Sequence, residues 1–168
     1  EKRWGKLMEI SYVSDLNRRI DEGKIKELIQ ISEALHERKI VEIADMITKQ
    51  KKRIILIAGP SSSGKTTFAQ RLCIQLRVHG LKPLYLGTDD YFVEREQTPT
   101  DEFGEKHYEN LNAVDIDLFN DNMNDLLAGK EVDLPVFNFL TGHKEFGTKK
   151  TRIKATQPIV IEGIHALN

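Results

Sequence analysis

Residues 53–67 read RIILIAGPSSSGKTT, and this stretch decides the fold. The five apolar residues 54–58 predict a buried strand. The loop after it has the pattern G-x-x-x-x-G-K-T, with Gly59, Gly64, Lys65 and Thr66 at the fixed positions. The glycines let backbone N–H groups turn toward an anion, and the helix that begins at the loop adds the positive end of its dipole. The stretch therefore predicts a phosphate-binding loop; a plain Gly/Ser turn is the alternative.

The loop pattern also predicts which residues would bind ATP and Mg²⁺. Lys65 would reach the terminal phosphates of ATP, which makes it a catalytic candidate, and the Thr66 hydroxyl would bind Mg²⁺. The residues expected to hold the ATP phosphates are Gly59, Ser61, Ser62, Ser63, Gly64, Lys65, Thr66 and Thr67.

The composition is that of a soluble globular chain with one core and an appendage. Its 168 residues are 39% apolar, and 25 Lys and Arg against 26 Asp and Glu give a net charge of −1. A net charge this close to zero gives the chain no overall attraction to nucleic acid or to a membrane surface, so neither is expected as a partner. Cys73 is the one cysteine, so a reducing, cytoplasmic setting is expected. A homo-oligomer remains open.

Residues 1–50 differ from the rest and predict an α-helical N-terminal arm, with the kinase-like body in residues 51–168. Charged residues dominate the arm, and apolar ones recur at spacings of three and four, which is typical of one bent helix or two helices. These residues are Ile25, Leu28, Ile29, Leu35, Ile40, Ile43, Ala44 and Ile47.

Two further apolar runs end in acidic residues. Residues 84–87 predict a second strand followed by Thr88, Asp89 and Asp90, and residues 159–161 predict a third strand followed by Glu162. The carboxyl ends of parallel strands share one sheet edge, where ligands bind. One acid of the pair would be a general base for an attacking hydroxyl. A cap for the next helix is the alternative.

GPSSSGKTTF (59–68) followed by TDDYF (88–92) resembles the phosphoribulokinase and uridine kinase family of P-loop kinases. In that family the first acid after the second strand is the base and approaches the metal, which implies this role for Asp89. Glu162 followed by Gly163 is similar to the family's second acidic motif, which positions Mg²⁺.

The same resemblance implies an acceptor pocket. Phe137 and Phe139 correspond to a pair that walls the nucleobase site, and His143 lies one residue beyond the position of a histidine that contacts the base. An exposed loop residue is the alternative for His143.

The resemblance also departs from the family pattern at the acceptor. In the family, an aromatic residue three positions after the base helps to hold the nucleoside. In this chain that position is Phe92, and the residue before it is Tyr91. Both are expected to contact the acceptor. The segment YENLNAVD (108–115) resembles the family's ribose-binding segment, but Asn112 stands where aspartate is common. A turn residue is the alternative for Asn112.

A second resemblance concerns residues 4–45, WGKLMEISYVSDLNRRIDEGKIKELIQISEALHERKIVEIAD. This segment is similar to the tail of the threonyl-tRNA-synthetase-like module that precedes the kinase domain in some bacterial nucleoside kinases. The alternative is a helical arm packed on the body. The chain ends at Asn168, before the later strands and arginine-bearing lid that the family fold implies, so we expect a C-terminally incomplete domain.

Together these features predict an α/β fold with a parallel-sheet, kinase-type P-loop core. GTPases are disfavoured because N-K-x-D is absent from the sequence. The predicted activity is phosphoryl transfer from ATP with Mg²⁺ to a ribose-containing substrate such as uridine or cytidine. The alternatives are a nucleotide-binding regulatory or RNA-associated protein without turnover, and a kinase for a sugar phosphate or pantothenate.

Overall fold

The computed structural model describes residues 2–167, with the side chains of residues 5–167. Within this range none of the helices is both long and apolar enough to cross a membrane. The helices are α1 (Lys2–Leu7), α2 (Val13–Asp21), α3 (Ile25–Lys49), α4 (Lys65–Val78) and α5 (Ile116–Leu127). The strands are β1 (Ile54–Ile57), β2 (Leu84–Gly87), β3 (Val132–Asp133), β4 (Val136–Asn138), β5 (His143–Glu145), β6 (Lys150–Thr151) and β7 (Ile159–Glu162).

The three strands predicted from apolar runs form one parallel sheet in the order β1-β7-β2. The central strand is thus the last of the three in sequence. Ile57 of β1 and Gly87 of β2 both lie opposite Glu162 of β7, so all three strands end at the same level. The α/β prediction with a parallel sheet is confirmed, and the predicted site residues that follow the strands share one edge.

Helices cover the sheet on both faces because β7 is apolar on both. Val160 packs into one hydrophobic cluster with α3 and α4, whereas Ile159 and Ile161 pack into a second cluster with Leu126 of α5. All three β7 residues are buried. This double coverage is typical of parallel sheets, and it leaves the strand ends as the place where polar residues meet.

The predicted apolar stripe of the arm forms a single helix, α3, whose second half belongs to the core. Ile40, Ala44 and Ile47 are buried against α4 in the cluster that includes Val160. Polar contacts extend this packing: Arg71 Nε donates to Glu37 Oε2 at 2.7 Å, and Gln75 Nε2 donates to Glu37 Oε1 at 2.6 Å. In contrast, α2 contains no buried residue.

The prediction that β1 is a fully buried strand is wrong for one of its faces. Ile54 and Leu56 are each 43% exposed. Within the described sheet β1 pairs only with β7, so it forms an edge, and only the face toward α4 is well covered.

The segment around Pro135 forms two short strands with different partners. β3 pairs with β6 and β4 pairs with β5, both antiparallel. Phe137 lies opposite Lys144, and Lys144 Nζ forms an ion pair with Asp115, the N-cap residue of α5. This ion pair attaches the β4–β5 hairpin to the body beside the carboxyl ends of the large sheet.

Candidate active site

The loop between β1 and α4 has the backbone geometry of an anion cradle. Ser62 (φ 57°) and Gly64 (φ 85°) adopt left-handed conformations, and Gly64 is the N-cap residue of α4 without a side-chain cap. The N–H groups of a first helical turn have no intrahelical partners, so at this end they are available to a ligand. Ser61, Ser62, Ser63 and Gly64 are exposed, which leaves the cradle accessible.

Lys65 lies across the mouth of this loop. Its Nζ donates to the Pro60 carbonyl at 2.8 Å and lies 3.9 Å from Glu162 Oε1. The side chains of Lys65 and Glu162 are only 11% and 12% exposed, so their charges interact with little screening by water. The structure therefore brings the predicted phosphate-binding cation next to the predicted metal-binding acid.

Glu162 is the centre of the hydrogen-bond network at the strand ends. Its Oε2 accepts from Thr66 Oγ1 at 3.3 Å and from the Tyr85 hydroxyl at 3.0 Å. Burial and the Glu162 carboxylate raise the pKa of Tyr85 to about 12, so its hydroxyl keeps the proton that it donates. Tyr85 was not among the residues predicted from the sequence. The available signal was a tyrosine inside an apolar strand, because a buried tyrosine hydroxyl usually requires a partner.

The neighbouring acids Asp89 and Asp90 lie in a 3-10 turn (Thr88–Tyr91) at the end of β2, and they face different surroundings. Asp89 is an exposed residue. The protein around its carboxylate nevertheless removes enough water to raise the pKa of Asp89, and the charge of Glu162 raises it further, while Lys65 opposes both effects. Among the described residues, no hydrogen bond ties its carboxylate to another part of the fold. Asp89 is thus available to a ligand.

Asp90 is instead engaged by the fold. Its Oδ1 accepts from the backbone N–H of Phe137 at 3.3 Å, and its Oδ2 lies 3.7 Å from Lys149 Nζ. These contacts link the turn that bears the acids to β4. Asp90 thus has a structural role, but it links the turn to β4 and does not cap a helix.

The tips of β2 and β7 approach each other closely at Gly163. A Cβ at this position would lie 1.7 Å from Thr88 Oγ1, so only glycine fits here without displacing Thr88. Thr88 is 5% exposed. The close approach keeps Asp89 and Glu162 on adjacent strand ends.

Thr66, Asp89 and Glu162 provide a hydroxyl and two carboxylates at one place. Mg²⁺ prefers oxygen ligands and is commonly held by one or two carboxylates together with substrate phosphates. Burial and the charge of Glu162 both raise the pKa of Asp89, so a positive ion beside the two carboxylates would be favourable. The residues present therefore fit a magnesium ion bound with a nucleotide.

Aromatic rings cluster beside the turn that carries the two acids, where Phe137 contacts Asp90. Phe92 contacts Tyr108 and Phe137 with ring centroids 5.0 and 5.7 Å apart, and Phe137 contacts Phe139 at 5.0 Å. Phe92 and Phe137 are buried, while Phe139 is 57% exposed. The structure thus brings these three predicted residues together, and Phe139 presents the accessible ring.

Tyr91 does not lie where an acceptor could contact it, which corrects that expectation. It is 1% exposed, its hydroxyl accepts from Asn122 Nδ2 at 3.2 Å, and its ring meets Phe119 edge-on at 5.1 Å. The turn directs Tyr91 into α5 because consecutive side chains of a 3-10 turn point in different directions. Tyr91 anchors the turn that carries Asp89.

The last two predicted pocket residues are exposed. Asn112 lies in a 3-10 turn (Leu111–Ala113), where its backbone N–H donates to Asn110 Oδ1 at 2.9 Å. His143 Nδ1 lies 2.6 Å from Glu94 Oε2. Asn112 thus lies in a turn, whereas His143 is an exposed residue at the start of β5 and not part of a loop.

Sequence comparison finds a matching family and several relatives of this chain. The model of the phosphoribulokinase / uridine kinase family matches residues 54–168. A uridine kinase from Ligilactobacillus salivarius (strain UCC118) is 32% identical over 127 residues, covering 73% of this chain and 56% of the relative. A uridine kinase from Staphylococcus aureus (strain JH9) is 34% identical over 114 residues, covering 68% of this chain and 53% of the relative. The chain thus spans about half the length of these curated relatives.

Solved structures show the same fold. A protein described as a possible uridine kinase from Bacillus stearothermophilus superimposes with a TM-score of 0.57 at 26% identity, covering 75% of this chain and 70% of the other. D-glycerate 3-kinase from Cryptococcus neoformans gives a TM-score of 0.53 at 11% identity, covering 76% of this chain and 52% of the other. The second likeness concerns the fold alone.

Proposed function

Because this chain belongs to the phosphoribulokinase / uridine kinase family of P-loop kinases, we propose that it transfers the terminal phosphoryl group of ATP to a hydroxyl of a nucleoside. Family membership implies nucleotide binding. The observation that carries the proposal is the convergence of Lys65, Thr66, Glu162 and Asp89 at the ends of three adjacent parallel strands.

In this proposal each side chain has one task. The loop of residues 59–67 and Lys65 hold the phosphates, and Asp89 orients the acceptor hydroxyl and accepts its proton. Thr66, Glu162 and Asp89 would hold Mg²⁺, which supplies positive charge to the phosphates. Catalysis of this kind depends mainly on positioning and charge neutralisation, so the rigid strand ends suit it.

A nucleoside acceptor, uridine or cytidine, is supported by the relatives and by the aromatic cluster. Phe139 offers an accessible ring beside the buried Phe137, and planar bases stack on such rings. Asn112 would contact the ribose and His143 the base, both from exposed positions.

A kinase for a phosphorylated acceptor is the second candidate. Lys149 lies beside Asp90 with a side chain that is 36% exposed, so a cation is available next to the aromatic cluster. A sugar phosphate would use this charge, whereas an uncharged nucleoside would not.

The remaining expectations stay predictions. They are the division at residue 50, a cytoplasmic location and a homo-oligomer. The comparisons do not support the threonyl-tRNA-synthetase-like module, and the family match begins at residue 54. The packing of Ile40, Ala44 and Ile47 on α4 is the arrangement expected of a helical arm docked on the body.

Substitution of Asp89 tests the proposed chemistry. In the full-length protein, Asp89→Asn should retain ATP binding and lower kcat by about a hundredfold to ten-thousandfold, since an amide cannot accept the proton. Asp90→Asn is the matched control and should retain most of the turnover, because its amide oxygen can still accept from Phe137. Undiminished turnover by Asp89→Asn would exclude Asp89 as the base.

Isothermal titration identifies the acceptor. The full-length protein is titrated with ATP and Mg²⁺, and then with uridine, cytidine and a set of sugar phosphates. Binding of a nucleoside supports the proposal, and binding of a sugar phosphate supports the second candidate. ATP binding without any acceptor favours a regulatory protein.

A further inference from the structure

Tyr85 connects the core to the candidate active site. It lies on β2 opposite Val160 of β7, and its ring packs against the cluster formed by α3 and α4. Glu162 follows Val160 by two residues on the same strand, and side chains two residues apart point to the same face of a sheet. The Tyr85 ring is therefore held by apolar packing while its hydroxyl reaches the Glu162 carboxylate at 3.0 Å.

The hydrogen bonds on Glu162 are unevenly distributed between its two oxygens. Tyr85 and Thr66 both donate to Oε2, while Oε1 faces Lys65 Nζ at 3.9 Å. Two donors on one oxygen restrict rotation of the carboxylate and keep Oε1 directed toward the phosphate-binding cation. Thr66 belongs to the phosphate loop itself, whereas Tyr85 belongs to a packed strand.

Besides these two hydrogen bonds, the contact described for the Glu162 carboxylate is the ion pair of Oε1 with Lys65 Nζ at 3.9 Å. If Tyr85 lost its hydroxyl, Oε2 would keep the single hydrogen bond from Thr66, an exposed residue in the first turn of α4. Partners of this kind, which contact a metal-binding carboxylate and not the metal, commonly affect metal affinity or activity by about tenfold to a hundredfold.

We propose that Tyr85 is a positioning residue that fixes the Glu162 carboxylate for binding of the nucleotide with its divalent cation. This inference rests on the proposed function because it takes Glu162 as a metal-binding residue. It concerns nucleotide and metal binding, however, and does not depend on which acceptor the protein uses.

Tyr85→Phe isolates the hydroxyl because the ring and its packing remain. Titrations with ATP are performed in Mg²⁺ and in EDTA, and the ratio of the two affinities is the readout. We expect Tyr85→Phe to lower this ratio by about tenfold and to leave ATP affinity in EDTA within about twofold of the unsubstituted protein. Tyr12→Phe, at a residue 74% exposed in the N-terminal region, is the matched control and should leave both values unchanged.

A double substitution tests whether Tyr85 acts through Glu162. In the Glu162→Ala background, Tyr85→Phe should leave the ratio unchanged, because no carboxylate remains for the hydroxyl to position. Independent effects of the two substitutions would overturn the inference. An unaltered ratio in Tyr85→Phe, with only a lower melting temperature, would also overturn it, since that result indicates a purely structural hydroxyl.

The outcomes separate this inference from the proposed function. Metal-linked ATP binding that weakens in Tyr85→Phe, without turnover of any acceptor, supports the inference and contradicts the proposed activity. If the protein phosphorylates a nucleoside and Tyr85→Phe leaves the ratio of ATP affinities unaltered, the proposed activity is supported and the inference about Tyr85 is contradicted. Failure of the unsubstituted protein to bind ATP would overturn both.

Discussion

Asp89 and Asp90 are adjacent in the chain, yet the fold treats their carboxylates in opposite ways. Asp90 accepts a backbone hydrogen bond from Phe137 and approaches Lys149, so it joins the turn to β4. Asp89 is left beside Glu162 in surroundings that raise its pKa. An acid held in such surroundings favours the arrival of a proton or a cation, and both are needed in phosphoryl transfer.

Glu37 is expected to make the stability of the fold depend on pH. Hydrogen bonds from Arg71 and Gln75 lower the pKa of Glu37 below its ordinary value of 4.5. A carboxyl whose pKa is lower in the folded state stabilises the fold above its ordinary pKa, and this contribution is lost as the pH falls through the folded value. Glu37→Gln should therefore lower the unfolding midpoint at about pH 7, and the difference should shrink below about pH 4.5.

Urea unfolding followed by circular dichroism from about pH 7 down to about pH 4 measures this effect. Glu33→Gln is the control, because Glu33 is an exposed residue of the same helix. A difference between Glu37→Gln and the unsubstituted protein that stays constant over this range would contradict the assignment.

Single residues also show which parts of the site were accessible to sequence reasoning. Gly64, Lys65 and Thr66 were predictable because the loop conformation depends on a short local pattern. The different roles of Asp89 and Asp90 were not, because they depend on Phe137 and Lys149, more than forty residues away. Tyr91 was misplaced for a similar reason: its direction depends on its contact with Asn122 on α5.

At the level of elements, the two halves of α3 differ in how much of their apolar surface is buried. Its second half buries Ile40 against α4, while Ile29 in the first half is 50% exposed. The periodicity of the apolar residues predicted a helix but not this division, because the same spacing continues through both halves. The two halves differ because the second half packs against α4.

Two isoleucine substitutions measure the contribution of α3 to the core. Ile40→Ala should lower the free energy of unfolding by about 2–5 kcal/mol, since it removes a fully buried side chain. Ile29→Ala, in the same helix, should change it by less than about 1 kcal/mol. Urea unfolding provides both values. Equal effects would indicate that α3 does not contribute to the cooperative core.

For the whole molecule, the distribution of buried residues predicts unequal local stability. β7 is buried on both faces, whereas α2 contains no buried residue, and its flanking Tyr12 and its first residue Val13 are each 74% exposed. Segments with few buried contacts open with free energies well below that of global unfolding.

Hydrogen exchange followed by mass spectrometry checks this distribution. Amides of α2 should exchange within the earliest time points, while those of β7 and α4 should exchange only with global unfolding. The second half of α3 should follow α4. Protection of α2 equal to that of β7 would contradict the predicted order.

The central position of β7 has a consequence for how the chain folds as it is synthesised. β1 and β2 each pair with β7 and not with each other, and the contact between Thr66 and Glu162 joins residues 96 positions apart. Until β7 leaves the ribosome, the two earlier strands have no central partner, and their apolar residues remain open to unwanted association. The nascent phosphate loop therefore lacks its sheet for most of the elongation of residues 58–158, and formation of the site coincides with the arrival of its last strand.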